Sequence, residues 1–447
     1  MKGPIRTATG GRRRGGPPEL TIDVRNFHRD PVREMVKLAR RLLPAVRVRT
    51  EGGGAFLHVC HPDTARHILQ TNTANYLKDF APFAPLVGDS LLAANGEKWR
   101  ALRTRMQPAF APSRLRHAAA CAVEVADRMT GTWEDFADSG RPVEIMPGIV
   151  RATLEFIVTS LYTLPAETIE PADIHAIAVG LEQAGRLMHF GGPANAQPRR
   201  QFQQAIARFN SLAARIVGAR RAQAEKPQDL LTLLIDALDD PEFPEMTEKQ
   251  IRDDILTFLF AGHETTATGL GWTMRLVSRN PPVQERLLAE IDALGGREPA
   301  YDDLKQLPYT AAVFTESLRM RPPVPMMVRV AAEADRVGDV GVSPGMRVAV
   351  SALGIHHHPE FWPNPNTFDP ERFMGAVERQ PCSFIAFSAG SRSCIGSRLA
   401  MIEAPIVLAR VLQRFRLLPA PNPPLQSLSI ITLRPRAGQF VRLERRG

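Results

Sequence analysis

The chain has 447 residues, of which 44% are apolar and 23% are charged, and its formal net charge is +9. This apolar content is typical of a globular protein and argues against a disordered or fibrous chain. No stretch approaches the roughly 18 consecutive apolar residues that a membrane-spanning helix needs. Basic residues near the N-terminus lack the apolar segment that a secretory signal would place behind them.

Cysteine usage and charge indicate where the protein works and what it binds. Four cysteines at irregular spacing favour neither a disulfide framework nor a zinc site, which fits a reducing, cytoplasmic location. A basic chain can bind nucleic acid, an anionic membrane surface or an acidic protein. Since no helix-turn-helix or zinc-finger pattern is present, we expect no nucleic-acid partner and no membrane span. An acidic protein partner is favoured, and the protein is expected to be a monomer.

Residues 1–19 are predicted to be a disordered basic tail, and residues 20–447 to be a single domain. Within this domain, extended segments and helices alternate at first, helical patterns then dominate, and short strands return later. The predicted ranges are 31–43 (helix), 45–50 and 55–59 (strands), 63–70 (helix), 96–279 (mainly helices), 324–350 (strands), 359–372 (turns) and 417 onward (strands). The predicted fold class is therefore mainly α with a smaller β-rich lobe.

A long helix is predicted to begin after Thr247, because Thr247 and Gln250 have the spacing of a capping box. Its pattern continues to about Ser278. The middle of this helix reads Ala261-Gly262-His263-Glu264-Thr265, and glycine with β-branched residues is unfavourable inside a helix. Because a threonine hydroxyl can replace a backbone hydrogen-bond partner, the helical ladder is expected to open here.

Near the C-terminus the chain reads Phe387-Ser-Ala-Gly390-Ser-Arg392-Ser-Cys394-Ile-Gly396. Glycines allow the backbone to approach a planar ligand closely, and backbone N–H groups can donate hydrogen bonds to a thiolate. A thiolate on haem iron favours cleavage of the O–O bond. The decapeptide indicates that Cys394 binds haem iron, Arg392 pairs with a haem propionate and Phe387 covers the sulfur. An ordinary buried thiol is the alternative.

Three further segments bring polar side chains onto one helical face or into one turn. Trp99 and Arg103 are four residues apart, and an indole N–H together with a guanidinium suits a carboxylate ligand. Glu316 and Arg319 are three residues apart on a second predicted helix. An isolated surface pair of that kind contributes less than about 1 kcal/mol, but Pro370-Glu-Arg372-Phe follows downstream.

Taken in chain order, these segments resemble the landmarks of the cytochrome P450 family: W-x-x-x-R, A-G-x-[DE]-T, E-x-x-R, P-E-R-F and F-x-x-G-x-R-x-C-x-G. The resemblance covers about residues 63–416. It implies the cytochrome P450 fold, with haem b between the long central helix and the cysteine-ligand loop. It further implies a soluble member of the bacterial type without a fused reductase. Its activity would be that of a monooxygenase inserting one atom of O2 into a lipophilic small molecule, by hydroxylation or epoxidation.

The resemblance also implies a role for each matching residue. Thr265 and Glu264 would be catalytic and deliver protons, while His263 would face the helix or solvent rather than bind iron. The residues implied in cofactor binding are Cys394 as the iron ligand, Trp99, Arg103, Arg329, Arg392, Phe387, Gly390, Gly396, Ala261 and Gly262. The residues implied in a buried structural network are Glu316, Arg319 and Arg372. The residues implied in the substrate pocket are Phe83, Leu86, Phe258, Val324, Met326, Met327 and Ile431.

Electrons are expected from a ferredoxin or flavodoxin with its NAD(P)H reductase, since no such module is appended to the chain. Such carriers are usually acidic, and Arg100, Arg105 and Arg398 are expected to help dock one. The apolar pocket fits a terpenoid, a polyketide or a fatty acyl chain, and specialised metabolism is favoured over fatty-acid hydroxylation. Thr265 favours an electron-driven enzyme over a peroxide-driven or isomerising one. A non-enzymatic haem-binding or nucleic-acid-binding protein is the remaining alternative.

Overall fold

The computed structural model describes residues 19–22, 30–50, 55–80, 83–190, 196–241, 243, 246–376, 378–421, 427–429, 432–435 and 438–446. Two predictions fall partly outside these ranges. Of the predicted basic tail only Glu19 is described, at the start of the first strand, and the predicted pocket residue Ile431 is not among the described residues. The division into a tail and one domain stays a prediction.

The described elements alternate in the order that the sequence predicted. The strands are β1 (Glu19–Ile22), β2 (Ala45–Thr50), β3 (Ala55–Val59), β4 (Tyr76–Leu77), β5 (Val143–Glu144), β6 (Met326–Ala331), β7 (Asp335–Val337), β8 (Val340–Val342), β9 (Arg347–Ser351), β10 (Phe415–Pro419), β11 (Ser427–Ser429), β12 (Leu433–Pro435) and β13 (Phe440–Arg445). The helices are α1 (Pro31–Ala39), α2 (Pro62–Arg66), α3 (Ala84–Val87), α4 (Gly96–Met106), α5 (Pro112–Gly131), α6 (Glu134–Ser139), α7 (Ile145–Leu161), α8 (Pro171–Phe190), α9 (Ala196–Arg221), α10 (Leu230–Asp236), α11 (Glu248–Ser278), α12 (Pro281–Asp292), α13 (Pro308–Met320), α14 (Ala352–His356) and α15 (Ser397–Arg414). The prediction of a mainly α fold with a smaller β-rich lobe is confirmed.

The smaller lobe is built on a mixed sheet whose described strands lie in the order β1-β2-β3-β9-β6-β4. In β3, Leu57 and Val59 are fully buried, and they lie opposite Val348 and Val350 of the parallel neighbour β9. Because side chains alternate across a strand, these four share one face of the sheet and form the core of this lobe. Among the described strands there are three smaller sheets: β10-β13-β5, the hairpin β11–β12 and the hairpin β7–β8.

Helix α11 is the central element of the larger lobe. Its cap residue Thr247 accepts a hydrogen bond from the Gln250 N–H at 3.1 Å, and the helix ends at Ser278, as the sequence predicted. Most of its side chains are buried, because it packs against α7, α13 and α15. The helix is α throughout, so the opening predicted beside Thr265 is not seen in this structure.

Two other predicted helices end earlier than expected. The predicted helix 31–43 stops at Ala39, and Leu42 takes a left-handed conformation with φ of 54° that a helix cannot contain. The predicted helix 63–70 divides into α2 and a π-helical turn at His67–Thr71. Among the described residues, none of the helices has both the length and the apolar character needed to cross a membrane.

Candidate active site

The cysteine loop runs from Phe387 to the first residue of α15, Ser397. The Cys394 N–H donates to the Phe387 carbonyl at 2.9 Å and closes the loop. Phe387 itself is partly buried and packs against the main core. The side chain of Cys394 is exposed, whereas the other three cysteines are buried. This accessible thiol is therefore available to a ligand.

The surroundings of Cys394 act on its ionisation in two directions. Burial among the neighbouring protein atoms raises the pKa of the thiol, while the Gly396 N–H, Arg103 and Lys78 oppose that rise. The Cys394 side chain nevertheless stays accessible at the surface of the protein. Positive charges beside it favour the thiolate, which is the form that binds metals.

Gly390 is required by the contact between the cysteine loop and the π-helical turn at His67–Thr71. Its φ is +70°, and a Cβ added at this position would lie 2.0 Å from the Leu69 carbonyl oxygen. Both observations exclude any residue with a side chain without a backbone shift. Gly396 differs, because a Cβ there would meet nothing within 4 Å.

Positively charged side chains converge next to the cysteine loop. The four residues are Lys78, Arg103, Arg329 and Arg392. Burial and the neighbouring Arg329 and Arg392 lower the pKa of Lys78 to about 7. Burial lowers the pKa of Arg329 to about 10, and burial with the neighbouring Arg329 and Arg103 does the same for Arg392. Like charges crowded in this way are unfavourable unless an anion joins them.

Helix α4 and the loop before it hold this cluster in place. The Arg392 guanidinium lies over the Trp99 ring at 4.1 Å and donates to the Ala94 carbonyl at 2.7 Å. Asn95 joins the pieces, since its side chain accepts from Arg392 at 3.1 Å and from the Lys78 N–H at 3.0 Å. Lys78 was not predicted, because no sequence motif marks it and only the fold brings it beside the arginines.

The donor set of the cluster suits a particular kind of ligand. Arg103 donates to the Ser393 carbonyl at 3.1 Å, and Arg329 to the Val328 carbonyl at 2.9 Å. Among the described residues, no carboxylate forms an ion pair with any of the four cations, and Nη1 of Arg392 is buried without a hydrogen-bond partner. A ligand with two carboxylates and a thiolate-binding metal would satisfy this site, and haem has both.

The middle of α11 is accessible, although most of the helix beyond its first turn is buried. Ala261 is exposed and Thr265 is partly exposed, while Glu264 is buried. The Thr265 hydroxyl donates to the Ala261 carbonyl at 2.7 Å. The hydroxyl therefore makes an additional hydrogen bond to that carbonyl and leaves the backbone hydrogen bonds of the helix intact, which explains why the predicted opening is not present.

Gly262 and His263 both face protein rather than a ligand space. A Cβ on Gly262 would lie 2.4 Å from the Ile157 side chain of α7, so this glycine permits close packing of α7 against α11. His263 is buried and its Nδ1 lies 2.5 Å from the Leu259 carbonyl. Burial lowers the pKa of His263, which keeps the ring neutral near pH 7. The expectation of a helix-facing histidine agrees with this position.

Glu264 is bound by one residue directly before strand β12 and one residue within it. Its Oε1 accepts from the Thr432 hydroxyl at 2.7 Å and lies 2.6 Å from Nε of Arg434. Its Oε2 lies 3.8 Å from Nε2 of His263. The sequence motif predicted an acid at this position but not its partners, which lie far along the chain.

Glu316, Arg319 and Arg372 lie together in one ion network. Arg319 binds Glu316 through two nitrogens, each at 2.7 Å, and both side chains are fully buried. Nε of Arg372 is 3.5 Å from Glu316, and the Asp369 N–H donates to the same carboxylate at 3.0 Å. A buried ion pair with this many donors is well satisfied, as its desolvation requires.

His356 connects that network to the cysteine loop and was missed by the sequence analysis. Arg319 donates to the His356 carbonyl at 2.8 Å, and Nδ1 of the ring lies 3.2 Å from the Arg319 carbonyl. The Ile385 N–H donates to Nε2 of the same ring at 2.9 Å. Burial, and then Arg319, lowers the pKa of His356 to about 3. A neutral histidine therefore fixes the start of the segment that leads to Cys394.

The predicted pocket residues divide into two groups. Phe83, Leu86 and Phe258 are buried in the main core cluster, where the Phe258 ring lies 5.8 Å from that of Phe110. The second group is partly buried and lies on β6 or just before it: Val324, Met326 and Met327. These residues lie on α3, α11 and β6 or just before α3 and β6, and their place in a substrate pocket stays a prediction.

The arginines predicted to dock an electron carrier differ in availability. Arg100 and Arg398 are exposed. Arg105 is only 19% exposed, its guanidinium is paired with Asp240 at 2.6 Å and it lies over the Phe243 ring. It holds α4 to the segment after α10, which leaves Arg105 less accessible to a carrier than Arg100 and Arg398, and its docking role stays a prediction.

Comparisons with known proteins agree with this geometry. Residues 20–441 match the family model described as Cytochrome P450. Cyclooctat-9-en-7-ol 5-monooxygenase of Streptomyces melanosporofaciens is 33% identical over 395 residues, which are 84% of this chain and 83% of that protein. Leukotriene-B4 omega-hydroxylase 3 of Mus musculus is 30% identical over 419 residues, 86% of this chain and 80% of that protein.

A solved structure shows the same architecture. The crystal structure of the cytochrome P450DA heme domain aligns with a TM-score of 0.83 and 25% identity, covering 93% of both chains. The family match spans nearly the whole chain, and the structural alignment covers 93% of it. The chain therefore belongs to the cytochrome P450 family, has its fold and is a cytochrome P450 monooxygenase.

Proposed function

We propose that the protein binds haem b with the Cys394 thiolate as iron ligand and hydroxylates or epoxidises a lipophilic small molecule of specialised metabolism. The observation that supports this most is the accessible Cys394 thiol beside four cations that have no carboxylate partner among the described residues. Lys78, Trp99, Arg103, Arg329 and Arg392 would hold the two propionates.

When bound, the haem supplies the redox chemistry, in which R–H, O2, two electrons and two protons give R–OH and water. The protein must deliver the protons and exclude side reactions. Thr265 is partly exposed at the middle of α11 and would present its hydroxyl to the oxygen side of the site. Glu264, one residue before it, would pass protons inward.

The substrate is proposed to contact Phe83, Leu86, Phe258, Met326 and Met327. These side chains are apolar, and methionine adapts to irregular ligand shapes. The similarity to a monooxygenase of cyclooctat-9-en-7-ol supports a compact, largely apolar alcohol or hydrocarbon as substrate. The similarity to an omega-hydroxylase of leukotriene B4 makes fatty-acid hydroxylation the second candidate.

Electrons are proposed to come from a ferredoxin or flavodoxin with its NAD(P)H reductase. The exposed Arg100 and Arg398 flank the segments that carry Trp99 and Cys394 and would attract an acidic carrier. Charge reversal at Arg100 and Arg398 should slow reduction and flatten its dependence on salt. Arg105→Glu is the control variant. It loses the ion pair between Arg105 and Asp240, so it should lower the stability of the fold rather than the affinity for the carrier.

The test of the haem-thiolate site is the absorbance of the dithionite-reduced, carbon-monoxide-bound protein, wild type beside Cys394→Ala. We expect the long-wavelength Soret band of thiolate ligation in the wild type and its loss in the variant. A wild-type band at the shorter wavelength typical of histidine ligation would contradict the proposal.

Substrate class is tested next by the spin-state shift on adding terpenoid alcohols and C12 to C18 fatty acids (the common chain lengths). A shift with the alcohols and a hydroxylated product would support the first candidate. A shift only with fatty acids would support the second. Turnover with peroxide alone that is indifferent to Thr265→Ala would favour the peroxide-driven alternative.

A further inference from the structure

The carboxylate of Glu264 is bound on its outer side by two donors from the C-terminal hairpin. Thr432 and Arg434 both reach the same oxygen, Oε1, at 2.7 Å and 2.6 Å. No hydrogen bond between Glu264 and Thr265 is present in the described structure, where Thr265 donates to Ala261 instead. Among the described residues, the acid is therefore bound by the hairpin rather than by the threonine.

The strand that supplies these donors is itself firmly attached. Leu433 is fully buried, its carbonyl accepts from the Trp272 indole N–H at 2.7 Å, and its N–H donates to the Pro323 carbonyl at 2.8 Å. Trp272 lies about two helical turns beyond Glu264 on α11. Because both anchors are buried, the position of Thr432 and Arg434 relative to α11 is fixed by the fold.

Exposure differs sharply between the members of this cluster. The side chain of Glu264 is 7% exposed and that of Arg434 is 34% exposed. Thr432 is buried. Arg434 is thus the charged residue through which the buried carboxylate is connected to the solvent.

We propose that Thr432 and Arg434 are positioning residues that hold Glu264 as a carboxylate at the inner end of a solvent-connected ion pair. This inference rests on the proposed function, in which Glu264 delivers protons. A hydronium ion reaching the Arg434 edge transfers its proton to the carboxylate, giving a carboxylic acid and water. The neutral acid is bound less strongly by the guanidinium than the carboxylate is, so it can turn and release the proton toward Thr265.

The test uses the holoenzyme with a plant-type ferredoxin, its reductase and NADPH, without an organic substrate. Oxygen is then reduced either to hydrogen peroxide with two electrons and two protons, or to two waters with four of each. Slower proton delivery raises the peroxide share. For Arg434→Gln we expect a peroxide-to-water ratio roughly fivefold above wild type, a modest effect because the ion pair is partly exposed. The solvent deuterium isotope effect on oxygen uptake should rise with it.

Further variants separate positioning from simple structural loss. Arg434→Lys should restore most of the wild-type ratio, and Thr432→Val should change it in the same direction as Arg434→Gln without removing a charge. Arg442→Gln is the matched control, because Arg442 is an exposed arginine on β13. A readout independent of turnover is the C–O stretching frequency of the carbon-monoxide complex, expected to shift in Arg434→Gln and Thr432→Val but not in Arg442→Gln.

The outcomes distinguish this inference from the proposed function. If Glu264→Gln raises the peroxide share while Arg434→Gln and Thr432→Val behave as wild type, the positioning role is overturned and the acid role stands. If Glu264→Gln also has no effect, the acid role in the proposed function fails. Should Arg434→Gln not fold, Thr432→Val and the C–O frequency decide the matter.

Discussion

Lowering the pH should weaken the attachment that His356 makes to the segment leading to the cysteine loop. The ring is fully buried, and its pKa falls from an ordinary 6.5 to about 3, chiefly because of burial. The unfolded chain binds a proton below pH 6.5 while the folded chain does not, so stability is lost as pH falls through this window. Between pH 7 and pH 5 the loss from this one group is about 2 kcal/mol, from 1.36 kcal/mol for each unit of pH over the roughly 1.5 units below 6.5.

The assay is urea unfolding of the holoenzyme at pH 7, 6 and 5, followed by circular dichroism and by the thiolate-type Soret band. His356→Gln keeps a donor for the Arg319 carbonyl and an acceptor for the Ile385 N–H but does not titrate. We expect it to be less stable than wild type at pH 7 and to regain about 2 kcal/mol relative to wild type at pH 5. His117→Gln is the control, because His117 is exposed. Parallel pH dependence of His356→Gln and wild type would refute the reasoning.

Three further predictions follow from buried or crowded groups. Glu316→Gln should lower the free energy of unfolding by about 3 kcal/mol, because it leaves the buried Arg319 without its charge partner. Urea unfolding measures this loss, with Glu97→Gln as the control variant because Glu97 is exposed. Gly390→Ala should destabilise far more than Gly345→Ala in a thermal melt, since both have positive φ but only Gly390 faces a carbonyl at 2.0 Å. Lys78→Met should release haem to excess apomyoglobin about tenfold faster, because one charged hydrogen bond to the haem is lost. The haem-free variant should melt at a higher temperature than haem-free wild type, because a cation that repels its neighbours is gone. Equal rates of haem release would exclude Lys78 as a propionate partner.

The parts of the site that the sequence predicts are those encoded by neighbouring residues. A capping threonine marks the start of α11. Cys394 lies in a loop that is closed by a backbone hydrogen bond between its own residues. The bidentate pair of Glu316 and Arg319 needs only a helical spacing of three. Local patterns of this kind can be predicted because they depend on the helix or loop itself and not on distant parts of the chain.

Residues whose roles depend on distant partners could not be found in this way. Thr432 meets Glu264 from 168 residues along the chain, and His356 meets Ile385 from 29. Lys78 becomes part of the cationic cluster only because Asn95 binds its backbone. The ion pair of Arg105 with Asp240 was not predicted for the same reason, since Asp240 lies outside any local pattern. Sequence spacing indicates which side chains share a helix face but not what the fold places opposite them.

The charges around the cysteine loop are distributed unevenly, and this distribution has an energetic consequence. In the ion network, Arg319 is fully paired with Glu316 and with backbone carbonyls, so the burial of its charge is compensated within the chain. In the cationic cluster, the acceptors of Arg329 and Arg392 among the described residues are backbone carbonyls and the Asn95 side-chain amide, with no carboxylate. The first arrangement stabilises the fold with or without a ligand. The second becomes favourable when carboxylates arrive, so binding of a dicarboxylate cofactor should stabilise the folded chain by linkage as well as supply its chemistry.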